Sequence, residues 1–353
     1  MAVIHWERYP RVAAQPAACT WLTIQRDRGL ADATITAYGR ALQDYLAFCA
    51  NHNIVPEAAT RAHLAAYAND LLNRAHRQGS NVVHVDSGSG LANATIQQRL
   101  VAIRLFYDYL VEEGRRDTNP VGRGRYLVGR GFAGPRQSGL VPRFSKLPWV
   151  PTDEQWQAIL AVARQQPIRN RVMLALAYDA GLRREELCAL RSDDLDPAHR
   201  TLRIRAETTK GRRERVVPYS AATGLLLQAY LTHRQTLSTM RGPLFLSESP
   251  RNRAKPITLW TWSKVIRRLA VEANVLQFTT HTLRHLCLTD LARAGWELHT
   301  LATFAGHRNP ATTLQYIHLS GRDLADKLAH GMAQIHRWRI RSLAEIDGVG
   351  GKP

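Results

Sequence analysis

Four short segments in the second half of this 353-residue chain concentrate side chains able to do chemistry. GLRREELCAL (181–190) carries Arg183 and Arg184 ahead of two glutamates, and TTKGRRERVVP (208–218) sets Lys210 among arginines. HTLRH (281–285) holds His281, Arg284 and His285, and AGHRNPATTLQYIH (305–318) holds His307 and Tyr316. Planar guanidinium groups grip two oxygens of a phosphate at once. A phosphodiester under attack gathers negative charge on its non-bridging oxygens, and arginines with a histidine stabilise that charge without a metal. A tyrosine hydroxyl ordinarily ionises at about pH 10, so as a nucleophile it needs a base or a cationic surround. A lysine on a hairpin is placed to hand a proton to a leaving oxygen. His281 and Arg284 lie three residues apart, on one face of a helical turn that Thr279 or Thr280 can cap.

Taken singly, each segment has a plain structural reading. A lone helix histidine is more often structural than catalytic, Tyr316 alone reads as core, and Arg183 alone reads as a salt-bridge partner. His281 and His285 at i and i+4 raise a zinc reading, but position 282 is Thr where the HExxH motif needs Glu, and no third ligand is evident. No metal and no other cofactor is therefore expected. The weight lies in the joint occurrence of all four segments in one strongly basic chain.

Together, and in this order, the four segments resemble the sequence boxes of the tyrosine recombinase, or phage integrase, family. The resemblance extends over roughly residues 12–320, with the helix-rich stretch ending at Asn119-Pro120 resembling the family's core-binding domain. It implies that Arg183 and Arg284 are the two phosphate-clamping arginines and that Lys210 is the hairpin lysine. It implies further that His281 is the histidine of the HxxR box, that His307 fills the later His/Trp position, and that Tyr316 is the nucleophile. Glu186 matches the family's acidic residue after the first arginine, with a supporting, orienting role. The chain departs from the family pattern at Arg184, where an apolar residue is usual, and at Ala305-Gly306-His307, where Leu-Gly-His is usual. The implied activity is site-specific DNA recombination: strand cleavage and rejoining through a 3′-phosphotyrosyl link, which stores the bond energy without ATP. The implied partners are double-stranded DNA with paired inverted half-sites and further copies of the chain, a dimer on a site and a tetramer in synapsis.

These residues need elements to position them. Thr34 to Ala50 and the stretch from Ile96 to Leu110 each place apolar side chains at three- and four-residue steps, the mark of amphipathic helices, and Gly114 stands near the end of the second. Gln78 to Asn93 is Gly/Ser-rich and reads as a loop with a brief extended piece. Thr118 to Thr152 holds six basic residues, no acids and many Gly and Pro, the composition of a linker. Beyond it, helical patterns cover Trp156–Ala163, Asn170–Ala180, Ala221–Leu237, Leu259–Glu272, Leu283–Ala294 and Asp323–Trp338. Thr201–Ala206 and Arg213–Pro218 read as the strands of a hairpin with Lys210-Gly211 between them. The expected fold is mainly α with a small β-sheet in the C-terminal domain. It comprises a helical core-binding domain over 12–118, a basic linker over 119–150 and a catalytic domain over 151–341 ending in a C-terminal helix. The resemblance implies that the two domains close as a clamp around the duplex. Only about a dozen residues precede the first helical segment, so no additional arm-binding domain is expected.

Bulk properties fit. Lys and Arg number 48 against 29 acids, a net charge of +19, and such a field attracts polyanions, nucleic acid first among them. Hydrophobic residues at 45% supply packed cores and exclude a disordered tail. Four scattered cysteines without CxxC spacing indicate reduced thiols, and no signal peptide or membrane-spanning run is present, so a cytoplasmic protein of the bacterial cytosol is expected. Three other classes remain to be weighed. A type IB topoisomerase shares the chemistry but needs neither partners nor a specific site. A catalytically idle DNA-binding protein would leave the six polar positions without a purpose, and a nucleic-acid packaging protein would leave the ordered boxes unexplained.

Overall fold

The computed structural model describes residues 3–74, 91–121, 148–209 and 211–317. The chain divides into two compact units, 1–145 and 146–353. The segments expected as the Gly/Ser loop and the basic linker, the C-terminal helix expected at 323–338, and Lys210 lie wholly or largely outside the described residues.

The first unit is helical: α1 (Pro10–Ala14), α2 (Pro16–Asp27), α3 (Asp32–Asn51), α4 (Arg61–Asn73) and α5 (Asn93–Glu112). The long helices α3 and α5 pack together through the stripes read from the sequence, with Ile35, Leu42, Tyr45, Leu46 and Cys49 facing Ile96, Leu100, Ile103, Phe106 and Leu110 in one core. The buried hydroxyls of Tyr45, Tyr67 and Tyr107 are paired there, as low dielectric demands. The Tyr45 and Tyr107 hydroxyls meet at 2.5 Å, and Tyr67 donates to Asp44, which also takes Arg74 and Arg99.

The second unit contains α6 (Asp153–Ala163), α7 (Ile168–Asp179), α8 (Arg184–Cys188), α9 (Ala221–Leu237), α10 (Leu259–Glu272), α11 (Thr280–Arg293), α12 (Leu298–Ala305) and α13 (Ala311–Ile317). Helix α7 buries residues all round, Val172, Met173, Leu174, Leu176 and Ala177 among them, so it forms the middle of the core with α9 and α11 against it. The small sheet is antiparallel in the order β1 (Leu195–Asp196), β2 (Thr201–Ile204), β3 (Arg215–Pro218), with Thr201 opposite Pro218 and Ile204 opposite Arg215. The hairpin strands are shorter than the sequence pattern suggests because the connection folds on itself. The Thr209 hydroxyl donates to the Ala206 carbonyl and accepts the Arg213 N–H, both at 3.0 Å. The two-residue β1 was too short to leave a periodic signal. Helices α9 and α10 fall on the spans read from the sequence, while α6, α7 and α11 begin two or three residues earlier, where Thr152, Pro167 and Thr279 stand as N-caps. Among the described residues no helix is long and apolar enough to cross a membrane.

Candidate active site

Helix α11 supplies three of the polar side chains. Thr279 caps it, its N–H donating to the Thr282 hydroxyl at 3.0 Å, and this fixes the register that puts His281, Arg284 and His285 on one face. Arg284 is only 3% exposed. It donates from Nη1 to the Gly181 carbonyl at 2.6 Å, and from Nη2 to the Ala305 carbonyl at 2.5 Å and to His307 Nε2 at 3.1 Å. One guanidinium thus ties the turn before α8 to the end of α12. Burial, with Arg183 nearby, lowers its pKa to about 10, which leaves it charged at neutral pH.

Arg183 is the N-cap residue of α8, and Glu186 one turn on reaches back to accept its N–H at 3.0 Å. Glu186 is 1% exposed, and its carboxylate takes Arg183 Nη1 at 2.7 Å and both terminal nitrogens of Arg215 at 3.1 and 2.8 Å. Burial alone would raise this carboxyl. The hydrogen bonds and charges of Arg215 and Arg183 overcome it and hold the pKa at about 2. Arg215, on β3, also donates from Nε to the Phe304 carbonyl. Arg184 points elsewhere, to Glu185 and to the Ser263 hydroxyl on α10. The two arginines differ in their partners: Arg183 joins the Glu186 cluster, and Arg184 pairs with Glu185 and Ser263.

The loop from α12 to α13 brings in the other two residues. Gly306 ends α12 with φ of +63°, and the Gly306 and His307 N–H groups return to the carbonyls of Thr303 and Ala302. This Schellman turn needs the left-handed conformation that glycine tolerates. A side chain there would also meet Arg215, since a Cβ would lie 3.0 Å from Nη1 and 3.1 Å from Cδ. The turn sends His307 back to Arg284. Arg284 can only donate, so His307 Nε2 accepts and its Nδ1–H donates to the Thr313 hydroxyl at 2.8 Å. Burial and the charges of Arg284, Arg183 and Arg215 lower the His307 pKa to about 4.

Tyr316 on α13 is 3% exposed and stacks on the His307 ring, centroids 6.2 Å apart and planes 10° from parallel. Its hydroxyl lies 2.9 Å from Nδ1 of His285. Burial raises the phenol pKa, while Arg284, Gln315 and Arg183 pull it down. His281 stays exposed at the near end of α11, its ring 6.2 Å from that of His285, with partial burial and Arg284, Arg184 and Arg183 lowering its pKa.

The structure thus brings Arg183, Glu186, Arg284, His307 and Tyr316 into one cluster and leaves His281 at its edge; Lys210 lies outside the described residues. Two members went unassigned in the sequence. Arg215 was hidden as one of four basic residues within the segment 208–218, and His285 was set aside once its zinc reading failed. Among the described residues no three His, Cys, Asp or Glu side chains converge to hold a metal ion. What the cluster offers is a cationic floor beside a phenol that has a hydrogen-bond partner of its own.

Comparisons with known proteins agree on the class. The profile described as "Phage integrase family" matches residues 150–322, and that described as "Phage integrase, N-terminal SAM-like domain" matches 21–114. Tyrosine recombinase XerD of Oceanobacillus iheyensis is 27% identical over 307 residues, 85% of this chain and 92% of that protein. Tyrosine recombinase XerC of Pelotomaculum thermopropionicum is 32% identical over 245 residues, 67% of this chain and 74% of that one. Two solved structures share the fold. The XerH site-specific recombinase bound to palindromic difH substrate aligns with a TM-score of 0.62 at 19% identity, over 84% of this chain and 79% of that one. The Tn1549 transposon integrase in complex with circular intermediate DNA aligns at 0.64 and 17%, over 88% and 98%. The chain belongs to the phage integrase family, the tyrosine recombinases. Its activity is accordingly site-specific DNA recombination.

Proposed function

We propose that Tyr316 is the nucleophile of this recombinase: its phenol attacks a DNA phosphodiester, forms a 3′-phosphotyrosyl bond and expels the 5′-oxygen. Arg183 and Arg284 hold the non-bridging oxygens, Lys210 delivers the proton to the leaving oxygen, and Glu186 keeps Arg183 in place. His307 and His281 complete the polar surround. The observation that carries the reading is the packing of Tyr316 against His307 and within the field of Arg284 and Arg183, although the three segments are more than 100 residues apart at the extremes. The substrate is double-stranded DNA with paired inverted half-sites, held by the helical unit and the catalytic unit on either side of the basic linker. The protein works as a dimer on each site and a tetramer in synapsis, in the bacterial cytosol. The amphipathic pattern of 323–338 suits docking on a neighbouring copy.

The test is a suicide substrate that traps the cleaved strand. Tyr316→Phe should bind DNA as the native chain does and yield no covalent protein–DNA adduct. An adduct formed by the Phe variant would remove Tyr316 from the role. Strand exchange between two sites, against mere relaxation of a supercoil, separates the recombinase from a topoisomerase. Deleting residues from 323 onward should leave binding of one half-site intact and abolish cooperative loading of two. Cooperative loading by the truncated chain would place that segment on its own domain.

A further inference from the structure

We infer that His285, and not the HxxR-box residue His281, accepts the Tyr316 proton when the phenol attacks. The inference rests on the reading of Tyr316 as nucleophile. Its ground is geometric: His285 Nδ1 is 2.9 Å from the Tyr316 hydroxyl, whereas His281 is exposed one turn away. A phenol buried to this degree needs an acceptor for its proton. The Gln315 amide stands beside the same oxygen and favours the phenolate, as a donor to it would. The proton therefore points at His285, whose ring must then be the tautomer with hydrogen on Nε2 and a lone pair on Nδ1.

The groups facing the pair are His281, Arg284 and Cys287 on α11, Arg183 at the head of α8, and Gln315 and His307 on and before α13. Burial, His281 and the Arg284 charge keep His285 neutral, with its pKa lowered to about 4. A neutral ring is the state that can accept. A phosphodiester bound against Arg284 adds negative charge beside the ring, which opposes those influences and raises its basicity as attack begins. In the forward step the phenol oxygen bonds to phosphorus, its proton moves to Nδ1, and the P–O5′ bond breaks with the 5′-oxygen taking a proton from the general acid. In rejoining, an incoming 5′-hydroxyl gives its proton back to the now deprotonated general acid and attacks phosphorus, and His285 returns its proton to the departing phenolate. Charge and atoms balance over the cycle.

The experiment uses the full chain and a trapping half-site duplex. His285→Gln keeps an amide near the phenol but cannot take up a proton. It should fold and bind the duplex like the native chain, form adduct roughly 100-fold or more slowly, and lack the fall in rate expected of the native chain as pH drops toward about 4. A fluorinated tyrosine placed at 316, which ionises more readily, should restore much of the rate in this background. A purely structural role for His285 predicts no such rescue. Ring-nitrogen NMR of the native chain, assigned with Tyr316→Phe, should find Nδ1 unprotonated; this readout stands even where the Gln variant misfolds. A protonated Nδ1, or a folded His285→Gln chain with native rate and pH profile, overturns the inference. Should Tyr316→Phe still form adduct, the underlying reading fails instead, so the two failures are distinct.

Discussion

Replacing Glu186 with glutamine removes one negative charge from between Arg183 and Arg215 and changes almost nothing in volume. The carboxyl is held at about 2 against an ordinary value of 4.5, and that difference corresponds to roughly 3 kcal/mol of stability. It agrees in size with the general cost of breaking a buried ion pair by removing one partner, about 3–5 kcal/mol, because Arg215 would stay buried without its counter-charge. In a unit of this size about 3 kcal/mol lowers the unfolding temperature by roughly 6–12 °C. The sign of the pH dependence follows from the depressed value. The contribution is complete above about pH 4.5, fades as pH falls toward about 2, and at pH 3 less than half of it would remain. The assay is thermal unfolding of the full chain, native against Glu186→Gln, at neutral pH and at about pH 3, following the transition of the catalytic unit. The two proteins should differ widely at neutral pH and by less than half as much at the acid value. Equal stability at neutral pH would show that the charge of Glu186 contributes nothing. A gap unchanged by pH would assign the loss to hydrogen bonding or packing instead of ionisation. Adduct formation should fall in parallel, since Arg183 loses the partner that orients it.

Three further outcomes are expected. Lys210→Ala should slow cleavage of ordinary DNA, and a bridging 5′-phosphorothiolate, whose sulfur leaves without a proton, should restore the rate; absence of rescue would make Lys210 a phosphate contact only. Arg183→Ala should cost orders of magnitude in adduct formation, whereas Arg184→Ala, which loses an exposed pair with Glu185, should change stability by less than about 1 kcal/mol and affect binding more than cleavage. Equal effects in cleavage assays would shift the clamp by one residue. Gly306→Ala should destabilise by at least about 1 kcal/mol, since alanine is strained at positive φ and its Cβ crowds Arg215, and denaturant unfolding with adduct assays would detect both losses. Unchanged values for both would show that Arg215 yields without consequence.

The sequence alone determined the class of fold and the segments that matter. Long helices were legible because their apolar residues repeat at helical steps, as in α3, α5, α9 and α10, and the repeat exists whether or not the chain has folded. The hairpin was legible from β-branched residues either side of Lys210-Gly211, although its strands end early where Thr209 folds the connection back. The four polar segments were legible because residue type and order survive in one dimension. Contacts do not. That Glu186 is shared by Arg183 and Arg215 depends on β3 passing α8, and no local pattern encodes that approach. That Arg183 and not Arg184 turns inward depends on which side of α8 faces the core. The sequence offered His281 as the HxxR-box histidine and gave His285 no role once its zinc reading failed. That the Tyr316 hydroxyl lies beside His285 arises only from the packing of α13 against α11. Local periodicity is written into the order of residues, while the meeting of distant side chains arises only when the helices bury their faces together.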